Sequence, residues 1–518
     1  MGRTTHPQGV RTLASPSTPD RSAALRDTAP PLGHATTRGF ALMSGQVLAV
    51  KAINLIGQVI LAWILDRRDY GFVALAYSVS AFIALIQRSG VREMLVQRGR
   101  HFAVWATPAF WFSLALGALC ALLMVAMAPL AAAFYRDSRV APLLLVLSLA
   151  VLLDSLNAVP ESKLQIDLRF GLLAVTNLLT GAVAMASSIL FAALGFGAFS
   201  FILPLLIANI IRLCIYWPVV RPPIRRAPAV HRWKYFIRAS GLLAGASLLT
   251  TVTWQGDYII LGRLYPKEVV GLYFWAFNLS IQALYFSADA VAGVLFPSLT
   301  KLREEPQRQR EAFERAARAI ALLGIPACFL QMVLARPGVL LFFDAKWHPG
   351  IPLVQILSVG MAAQVVGIPA LSALKAQGRF ATALVWAAVC AAAFVAMVFA
   401  GAYFAEARGA AIAVACYCWI SAPLSAYLVL RHLGGDWRSV RRIFACPLLC
   451  SAAAAACAIL VSRALPPMRW GNVIQLALGS AIMGAIYLPA VRLLARDTWD
   501  DLYGKIAGLL SRGCAVAS

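Results

Sequence analysis

The stretch Gly39-Phe-Ala-Leu-Met-Ser44-Gly-Gln-Val-Leu-Ala-Val-Lys51-Ala-Ile-Asn54-Leu-Ile-Gly-Gln58-Val-Ile-Leu-Ala-Trp-Ile-Leu65 decides the reading of this chain. A spanning helix needs about 20 mostly apolar residues, and this run is longer. Near its middle sits Lys51, where a charge costs about 2.5–3.5 kcal/mol on insertion scales. Ser44, Lys51, Asn54 and Gln58 follow one another at intervals of 7, 3 and 4. On a helix they form one polar stripe. Such a stripe faces other helices or a wet cavity rather than lipid.

The rest of the chain fits that reading. Its 518 residues are 61% hydrophobic and 13% charged, with a mean hydropathy of +0.75, the profile of an all-α polytopic membrane protein. Fourteen apolar runs fall at about 39–65, 71–87, 103–131, 140–160, 171–193, 196–218, 239–262, 268–299, 319–343, 351–374, 381–402, 409–430, 443–462 and 472–491. The stretch 1–38, rich in Pro, Ser, Thr and Arg, reads as a disordered tail without a cleavable signal. The ten cysteines lie mostly inside apolar runs without a Cys-x-x-Cys pair and read as small fillers rather than disulfides or metal ligands. The six histidines are scattered, so neither metal nor cofactor is expected.

A formal charge of +24 raises the question of nucleic acid, and its distribution answers it. With the amino terminus placed inside, 33 of the 46 lysines and arginines fall in cytoplasmic segments and 10 in the opposite loops. That bias supports fourteen spans with both termini cytoplasmic, and it makes the basic excess a topology signal rather than a nucleic-acid footprint. The segment 300–318 mixes its cations with Glu304, Glu305, Glu311 and Glu314 and reads as a short amphipathic surface helix.

The chain also repeats itself. Gly71, Ala76 and Ser80 recur as Gly271, Ala276 and Ser280, and Pro160, Leu164, Arg169 and Phe170 as Pro369, Leu374, Arg379 and Phe380. Gly197-Ala198 recurs as Gly409-Ala410. Six spans per unit give both units the same orientation, a parallel repeat about an axis along the membrane normal. The organisation expected is a six-helix bundle over 39–218, a basic cytoplasmic linker at 219–238, a second six-helix bundle over 239–430, two extra helices at 443–491 and a cytoplasmic tail at 492–518.

If the halves face one another, their polar stripes are the candidate site. The seventh run carries Ser247, Thr250, Trp254 and Asp257, and the eighth Trp275, Asn278, Gln282, Tyr285 and Asp289. The fourth ends on Asp154 and Asn157, with Glu161 beyond. Lys51, Asn54, Gln58, Trp254, Trp275, Asn278, Gln282 and Tyr285 are the candidates for substrate binding, and Asp257 and Asp289 for ion or proton coupling. The competing account is interhelical hydrogen bonding in a packed bundle. Arg336, followed by Pro337, has snorkelling as its simplest account. Arg88, Arg92 and Glu93 read as ordinary charges at the inner mouth.

Short motifs carry a resemblance. Leu65, Asp69-Tyr70-Gly71 with Ala74 and Tyr77, Leu95-Val96-Gln97-Arg98, Asp257 and Arg263 with Gly271 and Tyr273, and Pro297-Ser298 are among them. Phe343-Asp344-Ala345-Lys346-Trp347 and Ala376-Gln377-Gly378-Arg379 complete the set. Over about 38–495 the chain resembles the Wzx-type polysaccharide flippases of the multidrug/oligosaccharidyl-lipid/polysaccharide exporter superfamily. The resemblance implies two six-helix bundles around a central cavity, two further helices, and no enzyme activity. It implies a place in the bacterial inner membrane and export of an undecaprenyl-pyrophosphate-linked oligosaccharide for exopolysaccharide, capsule or O-antigen synthesis. A polysaccharide polymerase and export machinery are the neighbours it implies. A drug or organic-cation antiporter prefers acidic cavities, which the mid-span Lys51 opposes. A lipid II flippase shares the fourteen-span layout. A membrane enzyme would carry a sizeable outer loop or clustered carboxylates and histidine, and the outward loops here are short.

Overall fold

A computed structural model describes residues 32–87, 91–225, 228, 230–302, 305–377, 379–464 and 471–494; among these, the regular structure is helical and without strands. The helices are α1 (Leu32–Ile64), α2 (Arg67–Gln87), the short α3 (Val91–Gln97), α4 (Phe102–Tyr135), α5 (Val140–Ile166), α6 (Phe170–Ala193) and α7 (Phe199–Val220). They continue as α8 (Trp233–Leu264), α9 (Lys267–Lys301), α10 (Pro306–Phe342), α11 (Ile351–Ala376), α12 (Phe380–His432), α13 (Trp437–Ala464) and α14 (Gly471–Leu494). Each of the fourteen apolar runs lies on one of them. Eleven helices among the described residues are long and apolar enough to cross a membrane, and the chain is a multi-pass membrane protein.

Helical hydrogen bonding satisfies the backbone of each span within hydrocarbon, and several helices continue past the apolar runs into polar sequence. α1 takes in residues 32–38, assigned to the tail from composition. α8 begins at Trp233 and shortens the linker. Segment 306–318 is no separate surface helix: its charged turns continue into α10, with Arg310 and Arg318 both reaching Glu314, at 2.9 and 3.7 Å. α12 holds two runs and reverses direction between them at Ala405 and Glu406, which have non-helical backbone angles. The backbones of Gly401 and Gly409 lie against each other across that turn.

Packing divides the helices into two groups. α4 with α5, α5 with α7, α6 with α7 and α1 with α6 form the first; α9 with α11, α11 with α12, α8 with α12 and α10 with α11 form the second. The α13–α14 hairpin rests on α10. Lipid is as apolar as leucine, so tight approach of small residues carries much of this association. In the second group the backbone of Gly360 lies against Ala415, and Ala362, Ala363 and Ala370 are fully buried. Leu122, Val175, Val385 and Phe404 point outward.

The groups meet through α2 and α9, at the end where α1 turns into α2. Gly71 packs on the backbone carbonyl of Lys267, and Gly271 on that of Arg67. The two contacts exchange under the same 200-residue offset, the relation a local two-fold axis between α2 and α9 produces.

Candidate functional site

Where the groups meet, the chain builds a seal. The last carbonyls of a helix have no intrahelical partner, and α1 ends on such a turn. The carbonyl of Ala62 accepts from Trp347 Nε1 at 2.7 Å, and that of Trp63 from Lys346 Nζ at 3.0 Å. Trp63 Nε1 donates back to the Phe342 carbonyl at 2.6 Å. Lys346 also stands 3.8 Å from Asp66. Trp347 is fully buried, stacked on Trp275 with ring centres 4.9 Å apart and edge-on to Tyr70 at 4.9 Å. Lys267 adds a 2.8 Å bond to the Tyr135 carbonyl. The scattered motifs Asp69-Tyr70-Gly71, Gly271–Tyr273 and Phe343–Trp347 thus converge on one place. Sequence reasoning gave them no role, because the partners lie far apart in the chain, 285 residues for Trp347 and Ala62; a tryptophan and a lysine in a short loop were the only local signal.

Away from the seal, the stripes on α1 and α9 approach each other. Lys51 Nζ donates to the carbonyl of Tyr285 at 3.0 Å, so the mid-span cation bridges the two groups and is half-buried. Asn54 is exposed, and Gln58, Asn278 and Gln282 are half-buried. Asn278 and Gln282 each donate one bond back to their own helix, at 2.8 and 3.2 Å. Tyr285 is 39% exposed. The side chains of Ser44 and Asp289 lie outside the described residues, as do those of Arg88 and Glu93.

Two candidates sit elsewhere than the stripes suggested. Trp275, read as part of the wet face of α9, is 4% exposed and belongs to the seal. The stripe runs the length of the helix, and its first turns lie where the groups close. Trp254 faces a cavity of about 110 Å³ inside the second group, with Thr250, Gln364, Trp386 and Ser421 in its wall. One turn on, Asp257 is 1% exposed. Tyr273 donates its hydroxyl to Asp257 Oδ2 at 2.9 Å, and the Tyr258 backbone N–H donates to Oδ1 at 2.9 Å. Burial of a carboxyl with two donors meets the requirement that buried polar groups be hydrogen-bonded.

Arg92 is no loose topology charge. It holds Asp154 at 3.1 Å and Glu161 at 3.3 Å, joining α3 to α5, while Gln87 on α2 reaches Asp154 at 3.3 Å. Near the same part of α5, Asn157 bonds the Asn209 carbonyl on α7 at 3.1 Å.

An apolar groove of about 680 Å³ runs between α1 and α10. Leu55, Ile56, Val59 and Ile60 form one wall and Leu330, Leu334 and Phe342 the other. It begins one helical turn from Lys51.

This architecture, with two helix groups sealed against each other at one end, is also found in solved membrane transporters. Its backbone is similar to that of the lipid II flippase MurJ in an inward closed conformation, with a TM-score of 0.71 over 88% of this chain and 99% of that one at 14% identity. It is also similar to the bent form of the Vibrio cholerae MATE transporter VcmN, with a TM-score of 0.51 over 79% and 100% at 14% identity. The chain belongs to the polysaccharide biosynthesis protein family, whose model matches residues 60–352. It is similar to the succinoglycan biosynthesis transport protein ExoT of Rhizobium meliloti, 26% identical over 64% of this chain and 67% of the relative. Its similarity to the lipopolysaccharide biosynthesis protein WzxC of Escherichia coli is 23% identity over 63% and 67%. These findings support the Wzx-type transporter family and a multi-pass protein of the bacterial inner membrane.

Proposed function

We propose that the protein moves an undecaprenyl-pyrophosphate-linked oligosaccharide across the inner membrane by alternating access, both termini being cytoplasmic. The observation that carries this reading is Lys51: a cation within an apolar helix, half-buried and bridging to the opposite group. A sugar–pyrophosphate head is too polar to cross hydrocarbon unaided. Lys51 attracts its phosphates, and Asn54, Gln58, Asn278, Gln282 and Tyr285 bond its hydroxyls. The polyprenyl tail stays in lipid and occupies the apolar groove between α1 and α10, whose wall begins one turn from Lys51. Rocking of one helix group on the other then exposes the head on alternate sides.

Deletion of the gene is expected to abolish surface polysaccharide and to accumulate lipid-linked repeat units on the cytoplasmic side. Lys51→Ala, made at normal level, is expected not to restore export. Normal polymer in the deletion strain, with altered sensitivity to organic cations, would refute the reading. Asp257 is the proposed coupling residue, with Asp289 the second candidate. Asp257→Asn and Asp289→Asn are expected to remove the dependence of export on the ion gradient; export that keeps its gradient dependence in both variants sinks the coupling proposal.

A further inference from the structure

The face between α10, α11 and the α13–α14 hairpin holds a second cationic site, on the side of the second group away from the Lys51 bridge. A cavity of about 360 Å³ opens there, lined by Arg336, Gln355, Ser462 and Gln475 among apolar residues. Arg336 is exposed within it and has no ion pair among the described residues. It stands six residues before the end of α10, about 9 Å along the axis. Gln355 lies four residues into α11, Gln475 four into α14, and Ser462 two before the end of α13. All four polar groups therefore gather at one depth, just below the helix ends that also carry the seal.

The two amides are weakly engaged. Gln355 Nε2 is 3.5 Å from the Met332 carbonyl, and Gln475 Nε2 is 3.5 Å from that of Ser462, at the limit of a hydrogen bond. Pro337 lacks the N–H that would bond the Val333 carbonyl, so that carbonyl, on a residue of the pocket wall, is left without its helical donor. A guanidinium presents a planar fork that matches phosphate oxygens in a bidentate manner. Simple snorkelling predicts a side chain stretched along an apolar wall to water; here the wall supplies three further polar side chains.

We propose that this pocket binds the phosphate ester headgroup of a membrane lipid, with Arg336 as its cation and Gln355, Gln475 and Ser462 as neutral partners. The headgroup enters from the bilayer, between the second group and the α13–α14 hairpin. With both termini cytoplasmic, as proposed above, this end of the bundle faces the outer leaflet; the rest of the proposal does not depend on that orientation. Bound there, the lipid joins the hairpin to the bundle and is separate from the Lys51 path.

The test uses the full chain in detergent, carrying Lys51→Ala so that the proposed substrate site does not contribute. Binding of dioleoylphosphatidylglycerol, undecaprenyl phosphate and phosphate-free dioleoylglycerol is measured by native mass spectrometry. At least one phosphate lipid is expected to bind, the neutral one not, and Arg336→Gln to weaken binding by about tenfold or more, as expected for a hydrogen bond to a charged group. Arg336→Lys keeps the charge without the fork and is expected to fall between. Should Arg336→Gln fail to fold, Gln475→Leu is expected to weaken binding in the same direction. Tighter binding of the glycerophospholipid assigns a resident lipid, and tighter binding of the polyprenyl phosphate assigns the carrier. Equal retention of dioleoylglycerol, or full affinity in Arg336→Gln and Gln475→Leu, overturns the proposal.

Discussion

At the scale of single residues, the seal depends on what Gly71 and Gly271 lack. A methyl group on either would meet the carbonyl of Lys267 or Arg67, and a backbone carbonyl within a helix cannot move aside cheaply. Overpacking typically costs about 1–3 kcal/mol. Gly71→Ala and Gly271→Ala are each expected to lower the thermal midpoint of the purified protein by similar amounts, because the contacts mirror one another. Gly484→Ala is the control, since nothing lies near its added methyl; it is expected to leave the midpoint unchanged or raise it slightly, through the better helix propensity of alanine. An unchanged midpoint in both seal variants would mean that α2 and α9 do not pack as described.

At the scale of elements, the short α3 has no long apolar face of its own and is held by what it touches. Leu95 is fully buried in a local cluster with Phe102 and Phe236, and Arg92 ties α3 to two carboxylates of α5. These pairs are partly exposed, with side-chain exposures of 35%, 34% and 20% for Arg92, Asp154 and Glu161. Their worth therefore lies between a surface pair and a buried one, about 1–2 kcal/mol. Arg92→Ala is expected to raise hydrogen exchange across α3 and the adjacent part of α5 while leaving the α11–α12 packing unchanged. Exchange unchanged across α3 would show that Leu95 and its neighbours hold it without the arginine.

At the scale of the whole molecule, alternating access requires the seal to break and re-form, so clamping it should stop transport. In a cysteine-free background, Asp66→Cys and Lys346→Cys joined by a short thiol-cleavable linker are expected to abolish export, with recovery on reduction. Each single cysteine treated alike should retain activity. Export at the uncrosslinked rate through a fully joined protein would exclude opening at this end.

The sequence by itself determined the membrane class, the apolar runs and the family, because hydrocarbon imposes one demand on every spanning segment and that demand is local: about 20 apolar residues with internally bonded backbone. Lys51 was legible for the same reason, a charge being costly wherever a helix crosses. Tertiary structure decided what each polar group meets. Periodicity placed Trp275 and Asn278 on one stripe without saying that the stripe passes from a dry seal to a partly exposed stretch. Asp257 likewise had no visible partner until Tyr273, on the next helix, was folded against it. Arg92, read as a topology charge, proved to be a tie across α3 and α5 only when Asp154 and Glu161 came within 3.3 Å. The repeat at an offset of 200 hinted at a symmetry axis; only packing showed that Gly71 and Gly271 lie beside it, since closeness between groups so distant in the chain depends on the fold of everything between them.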